Sequence, residues 1–203
     1  GDVYKRQVYV HAIPPPGQAV TEATPIAPVG PYAGAKAEAE AGLRAIFAGD
    51  SLVILRPPLV YGPGAAGNLA RLRRLCDSGL PLPFGAVANR RTLISVEALG
   101  RAVGAVLARW EHGPASGSYV LGDAAPVSTA GMVGAMRDGL GRPARLLPVP
   151  PALLRALLGA AGKGAMAEQL LGDMAVDASA FARDFAWTPE ADTLAGLRAM
   201  AAG

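Results

Sequence analysis

Cysteine, lysine, histidine and aromatic residues are all scarce in this chain, and each shortage narrows what it can be. There is one cysteine, Cys76, in 203 residues. An internal disulfide is therefore impossible, and a reducing compartment such as the cytoplasm fits. Cys76 is expected to be a small buried apolar residue. Aromatic residues make up 5%, too few for the stacking platform that single-stranded nucleic acid needs. The formal net charge is only +3 and the arginines are scattered, so no nucleic-acid partner is expected. No stretch reaches the roughly 18–20 apolar residues that span a bilayer. The best candidate, VPPALLRALLGAAGKGAMAEQLL, is interrupted by Arg155 and Lys163 and reads as a packed helix, so no membrane partner is expected. No metal site is assigned.

What is present describes a folded soluble protein: 51% hydrophobic and 17% charged residues. The length suffices for one domain or two small ones. The opening GDVYKRQ has no apolar core and no cleavage pattern, so it is not a signal peptide. It resembles the translated end of a sequencing adapter. Residues 1–7 are set apart as an artefact, and the chain proper is taken to start near Val8.

VYV at 8–10 reads as a buried strand, and residues 14–31, with six prolines, as a loop. An alanine-rich helix is expected from about Tyr32 to Ala48, with acidic residues in its early turns. SLVILRP then reads as an interior parallel strand. Strand, helix, strand with both strands apolar is a βαβ unit of an α/β sheet. The Pro/Gly-rich PPLVYGPGAAGN reads as a loop, followed by an arginine-rich helix from about Asn68 to Ser78. RTLISV (91–96) and GSYVLG (117–122) read as strands flanking a helix from about Glu97 to Trp110. The remainder is expected to be mostly helical, with a short strand at ARLLPV.

The segment PYAGAKAEAEAGL places Tyr32 and Lys36 four residues apart, on one helix face. A phenol with a pKa of ~10 is a poor base at neutral pH, but a neighbouring ammonium favours the phenolate. Such a pair can exchange a proton with a substrate hydroxyl while hydride passes to a nicotinamide cofactor. The lysine can also hold the cofactor's ribose hydroxyls. An ordinary solvated helix start would show the same spacing. Two features favour chemistry. The chain has 16 arginines but three lysines, one of them Lys5 in the segment set apart, so a lysine here suggests work that guanidinium does poorly. The pair also opens the helix between two buried strands, and ligands bind beyond the carboxyl ends of such strands.

The ordered series VYV, PYAGAKAEAEAGL, LVILRPPLVYGPGAAGNLARL, LPLPFGAVANRRTLISVEALGRAV and VDASAFARDFAWTP resembles the extended short-chain dehydrogenase/reductase family. Within it the similarity is to NAD-dependent sugar-nucleotide epimerases and dehydratases, the UDP-glucose 4-epimerase-like branch. The resemblance implies the C-terminal part of a doubly wound, Rossmann-type parallel sheet with a smaller, mainly helical substrate-binding domain. Residues 8–62 and 91–122 would form the dinucleotide-binding part, and 63–90 and 123–203 the substrate-binding part. It further implies Tyr32 and Lys36 as catalytic and cofactor-binding residues, with Pro57, Pro58 and Leu59 passing the nicotinamide. Asn68 and Leu69 would start a helix that touches the sugar-nucleotide diphosphate, where a helix N-terminus suits a phosphate. Phe84 would lie by the nucleotide base, and Arg91 would pair with the diphosphate; a solvated strand edge is the other reading of Arg91. Trp187 is read as packing. The implied cofactor is NAD, with NADP open, the substrate a nucleotide sugar, and a homodimer through the Tyr/Lys helix possible.

Two departures stand out. His11 and Ala12 occupy the place of the family's serine or threonine, and Leu59 that of a frequent asparagine. The glycine-rich pyrophosphate turn, and the acidic residue about 20 positions later, have no counterpart in 8–203. The chain is thus expected to be a fragment, weak in dinucleotide binding and inactive alone. Three functions stay open: an epimerase or dehydratase, a non-catalytic dinucleotide-binding sensor or assembly factor, and a reductase of a non-nucleotide carbonyl. Ala12 favours the second; retention of Tyr32 and Lys36 opposes it.

Overall fold

A computed structural model of the chain describes residues 10–203 except 13, 16, 29, 48–51 and 114, with Tyr32 described by its backbone alone. In order, the elements are α1 (Pro31–Ile46), β1 (Val53–Arg56), β2 (Leu59–Tyr61), α2 (Asn68–Asp77), β3 (Leu93–Ser95), α3 (Val96–Trp110), β4 (Gly117–Val120), α4 (Thr129–Gly139), α5 (Pro151–Ala160), α6 (Gly164–Leu171), α7 (Ser179–Asp184) and α8 (Thr193–Ala202). The chain forms two compact units. One comprises residues up to 60, 92–124 and 175–191; the other comprises 61–91, 125–174 and 192–203.

In the first unit β1 and β4 run parallel, with Val53 opposite Gly117 and Arg56 opposite Val120. β2 pairs with β3. α1 begins at Pro31, whose fixed φ suits the first helical position, after Gly30 at φ +87°. The Ser95 hydroxyl caps α3 by accepting from the Ala98 amide at 2.9 Å. Ala98, Ala102 and Val106, spaced four apart, turn one face of α3 onto Ile94, Leu121, Phe181, Phe185 and Trp187. The aromatic rings pack on each other: Phe181 and Phe185 stack at 4.6 Å, and Trp187 meets Phe181 edge-on at 5.5 Å. Trp187 Nε1 donates to the Ala98 carbonyl at 3.2 Å, so this tryptophan is core, as read.

The second unit is helical. The Ser128 hydroxyl caps α4 and the Asp192 carboxylate caps α8, each accepting a backbone amide. Arg137 on α4 is fully buried. Its Nη1 donates to the carbonyls of Ala144 at 2.6 Å and Pro143 at 3.2 Å, and its Nη2 to that of Leu80. Cys76 is buried in this unit, and burial pushes its thiol up to about 11.

Several expectations are corrected. The loop expected at 57–68 contains β2, a three-residue strand between proline and glycine signals that marked the whole stretch as a turn. ARLLPV makes a single bridge, Leu146 to Leu82, and no strand. The apolar stretch at 149–171 is two helices, because Gly162 at φ +69° turns the chain between α5 and α6. The first turn of α1 has no acidic residue; Glu38 and Glu40 come later, and Glu40 is buried. The strand expected at 8–10 lies outside the described residues except for Val10, which is buried.

Candidate functional site

In the first unit, α1 carries both Tyr32 and Lys36, one helical turn apart, and Lys36 is half-buried. β1 ends at Arg56 and hands the chain directly to Pro57 and Pro58, both buried, and to half-buried Leu59 at the start of β2. The helix and the end of β1 are tied together by a network that sequence reading missed. Arg56, 2% exposed, donates through Nε to Glu40 Oε1 at 3.1 Å and through Nη2 to Glu40 Oε2 at 2.6 Å. Its Nη1 lies 3.0 Å from His11 Nε2, and His11 Nδ1 lies 2.8 Å from the Thr24 carbonyl.

A carbonyl oxygen only accepts, so Nδ1 of His11 carries the proton and Nε2 receives one from Arg56. Both ring nitrogens are thereby engaged. Burial, joined by the Arg56 charge, holds the His11 pKa below its ordinary value. His11, at the place where the resemblance led one to expect a hydroxyl, is a structural residue in this network. The signal in the sequence was a lone arginine inside the apolar run SLVILRP, together with Glu40 four residues after Lys36.

In the second unit, Asn68 and Leu69 open α2 after Gly67 (φ +67°), with no side chain capping the helix. Leu69 is buried at 1%, backbone and side chain alike. Asn68 Nδ2 donates to Gln169 Oε1 at 2.9 Å. Arg91 is buried rather than at a solvated edge, and its Nη1 donates to the Gly172 carbonyl at 3.0 Å. Asn68 and Arg91 therefore both reach the C-terminal end of α6. Asn89 reaches the same end, donating to the carbonyls of Leu170 and Gly172; nothing in its local sequence marked it. The Phe84 side chain is buried, and the neighbouring Gly85 amide donates to the Leu147 carbonyl. Among the described residues, no three His, Cys, Asp or Glu side chains gather as a metal site would require. No helix among them is long and apolar enough to cross a membrane.

Comparison with known proteins shows the family and the fold. The NAD dependent epimerase/dehydratase family matches residues 7–122, more than half of the chain. A UDP-glucose 4-epimerase of Vibrio cholerae is 33% identical over 195 residues, which cover 91% of this chain and 58% of that protein. The crystal structure of dTDP-glucose 4,6-dehydratase from Bacillus anthracis, in complex with NAD, has a TM-score of 0.69 at 20% identity, over 97% of this chain and 58% of its own. UDP-glucose 4-epimerase of Thermus thermophilus, also with NAD, gives 0.69 at 20% over 97% and 61%. At that identity the structural likeness carries the fold, a Rossmann-type α/β arrangement of which the chain holds part. The chain spans about three fifths of the length of these relatives. It belongs to the NAD dependent epimerase/dehydratase family.

Proposed function

We propose that the protein containing this chain is an oxidoreductase of the epimerase/dehydratase type that acts on a nucleotide sugar with NAD, or NADP, as cofactor. The observation that carries this reading is the pairing of Tyr32 and Lys36 on α1, next in the chain to the strand that leads into Pro57–Leu59. The 33% identity with a UDP-glucose 4-epimerase supports it.

The residues present fit the nicotinamide end of such a cofactor. Lys36 offers an ammonium for ribose hydroxyls, and Pro57 and Pro58 form an apolar buried step without amide donors. Residues 8–203 hold no glycine-rich pyrophosphate turn, so the fit concerns that end alone. NAD, when bound, supplies the hydride acceptor. Tyr32 takes the proton from the substrate hydroxyl at its phenolic oxygen and returns it there. Lys36 supplies the positive charge that favours proton release by the phenol. In the second unit the backbone amides at the start of α2, at Asn68 and Leu69, and the Arg91 guanidinium receive the diphosphate, with Phe84 toward the base. A homodimer through α1 belongs to the same reading, supported by its exposed Leu43 and Ile46.

Tyr32→Phe in the full-length protein, assayed with NAD and UDP-sugars, is expected to lower kcat by ~10²–10⁴-fold. Activity retained within a few-fold would overturn the reading. One observation favours the alternative of a reductase acting on a non-nucleotide carbonyl: a donor of Arg91 is already engaged by Gly172. Arg91→Ala separates the two, since unchanged saturation by a UDP-sugar would remove Arg91 from the site.

A further inference from the structure

Arg56 is the last residue of an otherwise apolar strand, and it is almost wholly buried. Both oxygens of Glu40 accept from it, at 3.1 and 2.6 Å, in the two-pronged geometry that guanidinium and carboxylate favour. Its remaining engaged donor reaches His11, and His11 is in turn fixed to the Thr24 carbonyl. Three separated parts of the first unit thus converge on one side chain: the segment at 11, helix α1 at 40 and the end of β1.

A buried ion pair is weak evidence for stability, because apolar replacements of both partners are often neutral. Its position is more informative. Tyr32, Lys36 and Glu40 follow one another at four-residue intervals, which place them along one helix face. Glu40 is also at the spacing where a carboxylate ordinarily attracts a lysine. Arg56 claims that carboxylate, with the Arg44 guanidinium a more distant second partner at 3.9 Å. The residue after Arg56 begins the segment Pro57–Leu59.

We infer that Arg56 is a positioning residue: it clamps α1 through Glu40 to the end of β1, setting Tyr32 and Lys36 relative to Pro57–Leu59 and keeping Glu40 from drawing Lys36 away from Tyr32. The inference rests on the function proposed above, in which Tyr32 and Lys36 perform the proton transfer.

The test uses the full-length protein with NAD and a UDP-sugar, comparing Arg56→Met, Arg56→Lys, the double variant Glu40→Gln/Arg56→Met, and Tyr32→Phe. Misplacement of reacting groups by about 1 Å costs on the order of 10²-fold. Arg56→Met is therefore expected to lower kcat by ~10–100-fold with KM nearly unchanged, and to move the tyrosine limb of the kcat–pH profile upward. The double variant, which removes the unpaired carboxylate, is expected to return that limb toward its original position. If Arg56→Met does not fold, Arg56→Lys decides: it keeps the charge but loses the two-pronged clamp, and is expected to lower kcat too. A folded Arg56→Met, or failing that Arg56→Lys, with unchanged kcat and pH profile overturns the inference, as does a loss confined to KM. Tyr32→Phe locates a failure. If it is inactive while the Arg56 variants are normal, the clamp alone falls; if it is active, the functional reading falls and the clamp with it.

Discussion

Helix α4 contains two glycines whose replacement by alanine should move stability in opposite directions. At Gly134 an added Cβ would find nothing within 4 Å. At Gly139 it would collide with the Arg198 carbonyl oxygen and lie 3.0 Å from the Arg198 carbonyl carbon, on the backbone of α8. Glycine inside a helix is about 1 kcal/mol less favourable than alanine, so Gly134→Ala is expected to stabilise the second unit by about that amount. Gly139 is the last helical residue, where the propensity gain is smaller. Its Cβ meets main chain on another helix, which cannot rotate away, and overpacking of this kind costs typically ~1–3 kcal/mol or more. The two variants should therefore differ by roughly 2–4 kcal/mol. With a urea slope of ~1–3 kcal/mol/M, that is a separation in midpoint on the order of 1 M or more. Both tryptophans, Trp110 and Trp187, belong to the first unit, so the unfolding should be followed by far-ultraviolet circular dichroism. A Gly139→Ala protein with a midpoint equal to or above that of Gly134→Ala would refute the close approach of α4 and α8.

Cys76 should behave as an inert thiol. Burial raises its pKa to about 11 from 9.0, so at pH 8 alkylation in the folded chain should be slower than in urea by about two orders of magnitude or more; equal rates would contradict the packing. The same raised pKa means its contribution to stability is intact below pH 9 and is lost as pH rises from there toward 11. His11 has the opposite sign. Its pKa is lowered from 6.5, chiefly by burial, so its contribution is present above pH 6.5 and is lost as pH falls through the folded-state value. Nitrogen-15 NMR of the imidazole should show the proton on Nδ1 and a titration midpoint below 6.5, and a midpoint at or above 6.5 would contradict the burial of the ring.

Much of the local structure was legible because local physics decides it. The alanine-rich run after Pro31 and the apolar run of β1 both carry their signal within a few residues. The four-residue interval between Tyr32 and Lys36 is likewise a sequence property that any helix preserves. Other features depend on distant partners. β2 exists because β3, more than thirty residues later, pairs with it, while its own flanks read as turn. Asn68, Asn89 and Arg91 come to the end of α6 across 81 to 101 residues of chain. No local pattern can announce such a meeting. The sequence by itself determined an α/β chain of this family, with a tyrosine and a lysine on one helix face. Only the tertiary structure decided that His11 is committed to Arg56, because the state of a buried polar group is set by the neighbours that desolvate and pair with it, and those are brought together by folding alone.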